Sequence, residues 1–310
     1  MPRFATIDVG SGSVLVHVAE QRPDGSFVTL AGHAVITRLG EGLAETGSLA
    51  PAAMERTIVA LAELLDLARA HGVDRLAAVG TMALRQATNA PDFVARARRE
   101  LGLALEVISG EEEARLSFLA ARAALPQREA PTVVFDVGGG STEFIQGRGE
   151  HIESRTSLPL GTIVLTRTFL RSDPLAPSEL AAFDLHLAGA LQLPPLDASG
   201  GVIALGGTLC SLAAHHHGLD SYDPDVVHGT VLDRATLATR MEVLSALPLA
   251  VRRTLPGIPP KRADTILAGI ALAQAVLRAL DAPALTVCDR GLRHGLMLDR
   301  FGGGVRGVRG

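Results

Sequence analysis

Two stretches of this 310-residue chain carry one pattern, an aspartate followed closely by glycine and serine. Asp8-Val9-Gly10-Ser11-Gly12-Ser13 ends one apolar run, and Asp136-Val137-Gly138-Gly139-Gly140-Ser141 ends another. Glycines let backbone approach a ligand closely, and the N–H groups of such turns form concave anion sites. The hydroxyls of Ser11, Ser13 and Ser141 add donors. An aspartate beside them can hold a divalent metal, directly or through water. A single glycine-rich turn is usually only a hairpin. Two aspartate-led copies on facing domains would bracket a phosphate chain from both sides, so the chemistry suggested is phosphate binding.

Ser109-Gly110-Glu111-Glu112-Glu113-Ala114-Arg115 is the next stretch with chemical potential. A capping box from Ser109 to Glu112, with acids matched to the helix dipole, accounts for Glu111 and Glu112. It leaves Glu113 one turn into the helix. A carboxylate there, beside bound phosphates, can orient and deprotonate a water for in-line attack; the plainer reading is an acidic helix start with no further role. Arg85, in Thr81-Met82-Ala83-Leu84-Arg85, can grip a phosphate with two N–H groups or pair with a surface carboxylate, and spacing does not choose. Arg290-Gly291-Leu292-Arg293-His294-Gly295 poses the same choice near the C-terminus. Three other features read as structural. His215-His216-His217 is a solvent-facing helix end, because consecutive helical positions point in different directions. Cys288 is a small buried thiol with no histidine partner indicated. Arg306 and Arg309 belong to a loosely held glycine and arginine tail from Gly302 to Gly310.

The elements that must position these residues alternate. A strand at Phe4–Val9, a second at Val14–Val18, a turn at Pro23–Ser26 and a third strand at Phe27–Thr37 open the chain. A long amphipathic helix follows at Pro51–Ala70, with Ser48 as its expected N-cap. Strand Leu76–Val79, helix Pro91–Leu101, strand Ala104–Ile108 and helix Glu111–Ala124 continue the α/β habit. At Thr132 the opening pattern restarts, which predicts an internal duplication. The expected boundary lies near Pro126–Pro131, giving domains of 1–125 and 126–294, with a segment of about 295–310 packing back on the first. A third strand-to-glycine turn runs from Val202 to Thr208.

Composition sets the outer limits. The chain is 47% hydrophobic and 20% charged, enough for sizeable cores. A net charge of −4 argues against nucleic acid as a partner. Two cysteines fit a reducing, cytoplasmic setting, and no apolar stretch is long enough for a membrane span.

With these residues in view, the chain resembles the exopolyphosphatase and guanosine pentaphosphate phosphohydrolase family, over roughly Phe4 to Asp299. The resemblance rests on Ile7 to Ser13, Arg38-Leu39-Gly40-Glu41-Gly42-Leu43, Thr81 to Arg85 with Asn89, and Glu106 to Gly110. It continues through Glu112 to Leu116, Phe135 to Glu143, Leu158-Pro159-Leu160-Gly161 and Gly206-Gly207-Thr208. Leu255-Pro256-Gly257, Arg262-Ala263-Asp264 and Gly291-Leu292-Arg293 complete it. It implies two ribonuclease-H-like domains of the actin-like ATPase superfamily, with the active site in the cleft between them. Glu113 matches the catalytic base; Asp136 and Glu143 match acids associated with Mg²⁺ or Mn²⁺, to which Asp8 is added as a further candidate. Arg85 and Arg293 match phosphate contacts, alongside Ser11, Gly12, Ser13, Gly138, Gly139, Gly140, Ser141 and Thr208 of the glycine turns. Gly12 stands where Asn is common, Val164 where a basic residue often follows Gly161, Cys288 for a usual Ser, and His294 for the Glu of an R-E-G motif. Longer relatives carry extra helical domains.

The expectation is an exopolyphosphatase that hydrolyses the terminal phosphoanhydride of short-chain polyphosphate. Alternatives are a guanosine pentaphosphate 5′-phosphohydrolase, a kinase on the same fold, and a non-catalytic sensor of guanosine tetraphosphate or polyphosphate. A homodimer is a family-level expectation.

Overall fold

The computed structural model describes residues 1–125, 130–149 and 151–303. The chain divides into two compact units, one of residues 1–120 joined by the chain from Leu292 onward, the other of residues 121–291. The first division falls inside the helix Gly110–Ala124. Positions 126–129 of the expected linker and 304–310 of the expected tail lie outside the described residues.

The first unit is built on strands β1 (Arg3–Val9), β2 (Ser13–Gln21), β3 (Phe27–Ile36), β4 (Arg75–Gly80) and β5 (Leu105–Val107), in the order β3-β2-β1-β4-β5. Strand β1 is antiparallel to β2 and parallel to β4. Its residues Phe4 to Ile7 are all buried, as a central strand covered on both faces requires. On the helix Pro51–Ala70, Ile58, Leu61, Leu64, Leu65 and Ala68 form the apolar stripe, spaced as one helical face. Its N-cap is Ala50, with Pro51 at the first helical position, and not Ser48. Ala50 accepts from the N–H groups of Ala53 and Met54 through its carbonyl, while Ser48 Oγ is drawn to Thr88 Oγ1 at 2.8 Å. Proline at the first position has no N–H to satisfy, and its fixed φ is already suited to the helix start.

The helix Leu292–Phe301 completes this unit. Leu292 and Leu296 pack with Val79, Ile108 and Leu116, and Phe301 stacks on Phe4 at 4.4 Å. Gly295 lies against Leu116, where a Cβ would fall 1.9 Å from the Leu116 carbonyl oxygen.

The second unit repeats the plan. Its strands β6 (Thr132–Val137), β7 (Thr142–Arg148), β8 (His151–Leu158), β9 (Val202–Leu205), β10 (Val231–Asp233) and β11 (Ala284–Val287) follow the order β8-β7-β6-β9-β11-β10. Strand β6 is antiparallel to β7 and parallel to β9, just as β1 is to β2 and β4. The first five places therefore match the first sheet in order and sense, with β10 added at the edge. Strand β8 alternates between exposed and part-buried positions, as one open face dictates. The fold class is mixed α/β on two sheets, and the repeat of the Asp-led turn in sequence is a repeat of topology in space.

Candidate functional site

In the first unit, Asp8 sits near the C-terminal end of β1, and the turn behind it is closed by Gly10 N–H donating to the Ser13 carbonyl at 3.0 Å. A second segment braces this turn. Thr37 and Arg38 donate backbone N–H groups to the Gly12 carbonyl at 3.1 and 2.9 Å, and Gly40 donates to the Ser11 carbonyl at 2.9 Å. Ser11 is buried by this packing, while Gly12 and Ser13 keep partial exposure.

Glu113 and Arg85 meet. Arg85 Nη1 donates to Glu113 Oε2 at 2.6 Å and to the Ile108 carbonyl at 3.1 Å. The two side chains are only 13% and 21% exposed, so this is a shielded pair rather than the surface contact offered as one reading of Arg85. The capping box forms by half: Ser109 Oγ accepts from Glu112 N–H at 3.1 Å. The Glu112 carboxylate does not reach back. It takes both Nε and Nη2 of Arg115 at 2.8 Å, and Arg115 Nη2 also reaches Asp299 at 2.6 Å. Those hydrogen bonds, Glu112 first, raise the Arg115 guanidinium above its ordinary range. The acidic helix start thus splits its duties, with Glu112 tying the helix to the C-terminal segment and Glu113 left for Arg85.

Arg293 stands apart from that pair: its carbonyl accepts from Thr6 Oγ1 at 2.7 Å, and its Nε is buried without a hydrogen-bond partner. The neighbouring His294 ring rests on His17 at 4.3 Å.

The second unit holds a more complete arrangement. Gly138 N–H donates to the Ser141 carbonyl at 2.9 Å, closing the turn between β6 and β7. Thr162 and Ile163, in the first turn of the helix Thr162–Phe169, donate to the carbonyls of Gly138 and Gly139 at 3.0 and 2.9 Å. Gly161 allows that approach, since a Cβ there would lie 2.2 Å from the Gly140 backbone. Gly161→Ala is expected to displace the turn, costing about 1–3 kcal/mol of stability, read as a lower Tm together with a raised KM; an unchanged Tm would show that the turn yields freely.

Asp136 and Glu143 are cross-strand partners on β6 and β7. Glu143 is buried, and its Oε1 accepts from Ser141 Oγ at 2.7 Å and Ser157 Oγ at 2.8 Å, which orients the carboxylate. One strand over, β9 runs out into Gly206, whose φ of 106° and contact with Val137 admit only glycine. The helix Gly207–His216 starts there with no side-chain cap, and Thr208 lies in its first turn. An uncapped helix start presents N–H groups and the positive end of the dipole, which suits an anion. The Arg262 guanidinium lies directly on Gly207, where a Cβ would come within 2.1 Å of Nη1, and it donates to Ser211 Oγ at 3.3 Å.

Arg262 and Ser157 are functional candidates that residue spacing missed. Both come from segments remote in the chain from the turns they serve, and only the family match around Arg262-Ala263-Asp264 hinted at the first. The three histidines diverge: His215 Nδ1 bonds the Pro256 carbonyl, His216 the Arg240 guanidinium and His217 the Thr230 hydroxyl. Cys210 and Cys288 are buried and unbridged, and burial pushes the Cys288 thiol up to about 12.

Donors made of oxygen and backbone N–H, arranged around glycine turns at strand ends, are the equipment of a phosphoanhydride hydrolase, and that is the class this fold and site define. The chain belongs to the Ppx/GppA phosphatase family, whose model matches residues 16–302. It is 33% identical over 318 aligned positions to exopolyphosphatase 2 of Mycobacterium tuberculosis, covering 97% of this chain and 99% of that one. It is 30% identical to guanosine-5′-triphosphate,3′-diphosphate pyrophosphatase of Vibrio vulnificus, over 95% of this chain and 58% of the relative. The crystal structure of the Aquifex aeolicus family member superposes with a TM-score of 0.80 at 35% identity, covering 96% of this chain and 97% of that one. No helix among the described residues is long and apolar enough to cross a membrane.

Proposed function

We propose that the protein is a metal-dependent exopolyphosphatase that removes the terminal phosphate of inorganic polyphosphate. The observation that carries this reading is the second unit's glycine turn, with Asp136 and Glu143 side by side at its edge. Backbone N–H groups of Gly139 to Ser141 and of Gly207 and Thr208 supply anion donors that carry no ionised partner of their own, and the Arg262 guanidinium adds positive charge beside them.

The donor set fits a hard cation. Asp136 and Glu143 offer oxygen only, and no group of three or more His, Cys, Asp or Glu among the described residues is placed to hold an ion alone. Mg²⁺ or Mn²⁺ is commonly held by one or two carboxylates, water and the phosphates of a substrate. When bound, such an ion supplies charge that offsets what develops on the phosphoryl oxygens. The remaining work belongs to side chains. Glu113 takes the proton of a water whose oxygen attacks the terminal phosphorus, while the bridging P–O bond breaks in line. Orthophosphate and a chain one unit shorter leave. Arg85 holds the Glu113 carboxylate in place through the 2.6 Å hydrogen bond from its Nη1. Positioning and charge stabilisation carry most of the rate in such transfers.

A preference for short chains belongs to the same proposal. It is supported by Val164, which leaves the first turn of the helix beside the glycine turn without a cation for further phosphates. A cytoplasmic location is supported by the two free thiols. The test is phosphate release from polyphosphates of graded length, guanosine pentaphosphate and ATP, with Mg²⁺, Mn²⁺ or chelator. Release from polyphosphate, steepest for short chains and lost with chelator, is expected. Turnover of ATP alone with an acceptor would replace this reading by a kinase, and tight binding without turnover by a sensor.

A further inference from the structure

Arg252 closes the short helix Leu249–Arg252 and is only 5% exposed. A guanidinium carries five N–H donors and stays charged, so burying one demands partners for them. Here partners are short. Nε and Nη1 meet no hydrogen-bond partner among the described residues. Nη2 stands 3.8 Å from Asp173 Oδ1, too far for a hydrogen bond. Burial holds the guanidinium below its ordinary range, against the opposite pull of Asp173 and Asp264.

Arg252 borders a cavity of about 100 Å³ that lies wholly within the second unit and takes none of its lining from the glycine turns. One water needs roughly 10–15 Å³, so the space admits a small polyatomic ion. Thr166, on the helix Thr162–Phe169, also lines it, and its Oγ1 is likewise buried without a partner among the described residues. Arg171 stands at the exposed rim with a second guanidinium. The acceptors in the wall are already committed. Asp173 Oδ1 accepts from Leu249 N–H at 2.7 Å, and Asp264 has a partner of its own. Donors are therefore in surplus, and a fitting ligand brings acceptors. Two guanidinium groups repel a cation, and an apolar guest leaves the buried donors unmet. A tetrahedral oxyanion points oxygens in several directions, which suits donors arriving from three separate segments.

We propose that this cavity is a second oxyanion site, separate from the glycine turns, which binds inorganic phosphate through Arg252, Thr166 and Arg171. The choice of phosphate among such anions rests on the exopolyphosphatase reading, because that reaction releases it; the donor surplus does not. The test is calorimetric titration of inorganic phosphate, sulfate and chloride into the whole protein. Chelator is present throughout, so that metal-borne phosphate at the glycine turns stays out of the signal. Phosphate and sulfate are expected to bind, and chloride, which cannot span the donors, is not. Arg252→Met is expected to weaken phosphate binding at least about tenfold. Should that variant fail to fold, Thr166→Val decides, since it keeps shape and loses only the hydroxyl. It is expected to weaken phosphate about two- to tenfold while Tm and polyphosphate turnover stay at wild-type values. No phosphate binding by the wild-type protein, equal binding of chloride, or wild-type phosphate affinity in Thr166→Val overturns the site. Failure of the exopolyphosphatase reading looks different: the wild-type protein would release no phosphate from polyphosphate, and the titration would still decide the cavity.

Discussion

Glu113→Gln lowers kcat on polyphosphate by at least about a hundredfold while polyphosphate Kd stays within about threefold. The amide is nearly isosteric and keeps an oxygen acceptor for Arg85 Nη1, so the helix start and the 2.6 Å contact lose charge but not shape. What disappears is the ability to take a proton from water. The substitution therefore separates the observed anchoring of Arg85 from the proposed action on the nucleophile. A purely structural Glu113 would tolerate Gln with little change in kcat. Phosphate release near the wild-type rate, measured with substrate saturating, would remove Glu113 from the chemistry.

Asp136→Asn is expected to weaken Mg²⁺ binding at least about tenfold, measured by calorimetry on the free protein. It is also expected to lower kcat by at least about a hundredfold, since a misplaced cation forfeits several kcal/mol of charge stabilisation. Asparagine preserves the oxygen and the fold of β6 while halving the donor set and removing its charge. Glu143 is the internal comparison. Its Oε1 is already engaged by two serine hydroxyls, so Ser157→Ala should loosen that carboxylate without removing it. Unaltered metal affinity in Asp136→Asn would mean that the ion is held elsewhere.

How far this molecule is legible from its residues depends on sequence distance. The strand, aspartate and glycine turn recur as a contiguous motif, so the strands of the first sheet and β6, β7 and β9 of the second could be read from short windows. Strands β8, β10 and β11 carry no such motif, and the strand order came from the structure. Ser48 misled because a serine near a helix start is a strong local signal, yet Pro51 had already removed part of the need for a cap. Glu112 looked reciprocal with Ser109, but a guanidinium one turn on competes better for a carboxylate than a single backbone N–H does. The pairing of Arg85 with Glu113 joins two helices separated by β5, and no periodicity encodes it. Arg262 on Gly207 and Ser157 on Glu143 are of the same kind: side chains delivered by tertiary packing to a turn they do not adjoin. The roles proposed for Glu113, Asp136 and Glu143 rest chiefly on family resemblance, because spacing alone offers an acidic helix start and a hairpin turn as equally simple accounts.

The first unit is discontinuous, with its last helix drawn from the far end of the chain. On the ribosome, residues 121–291 emerge before Leu292, Leu296 and Phe301 exist to cover Val79, Leu116 and Phe4. Synthesis runs at roughly 5–20 residues per second, so that apolar face waits bare for many seconds while the later unit can already collapse. The order of maturation is then inverted relative to the order of translation: the half made second can finish first, and the half made first is sealed only by a segment that leaves the exit tunnel after both.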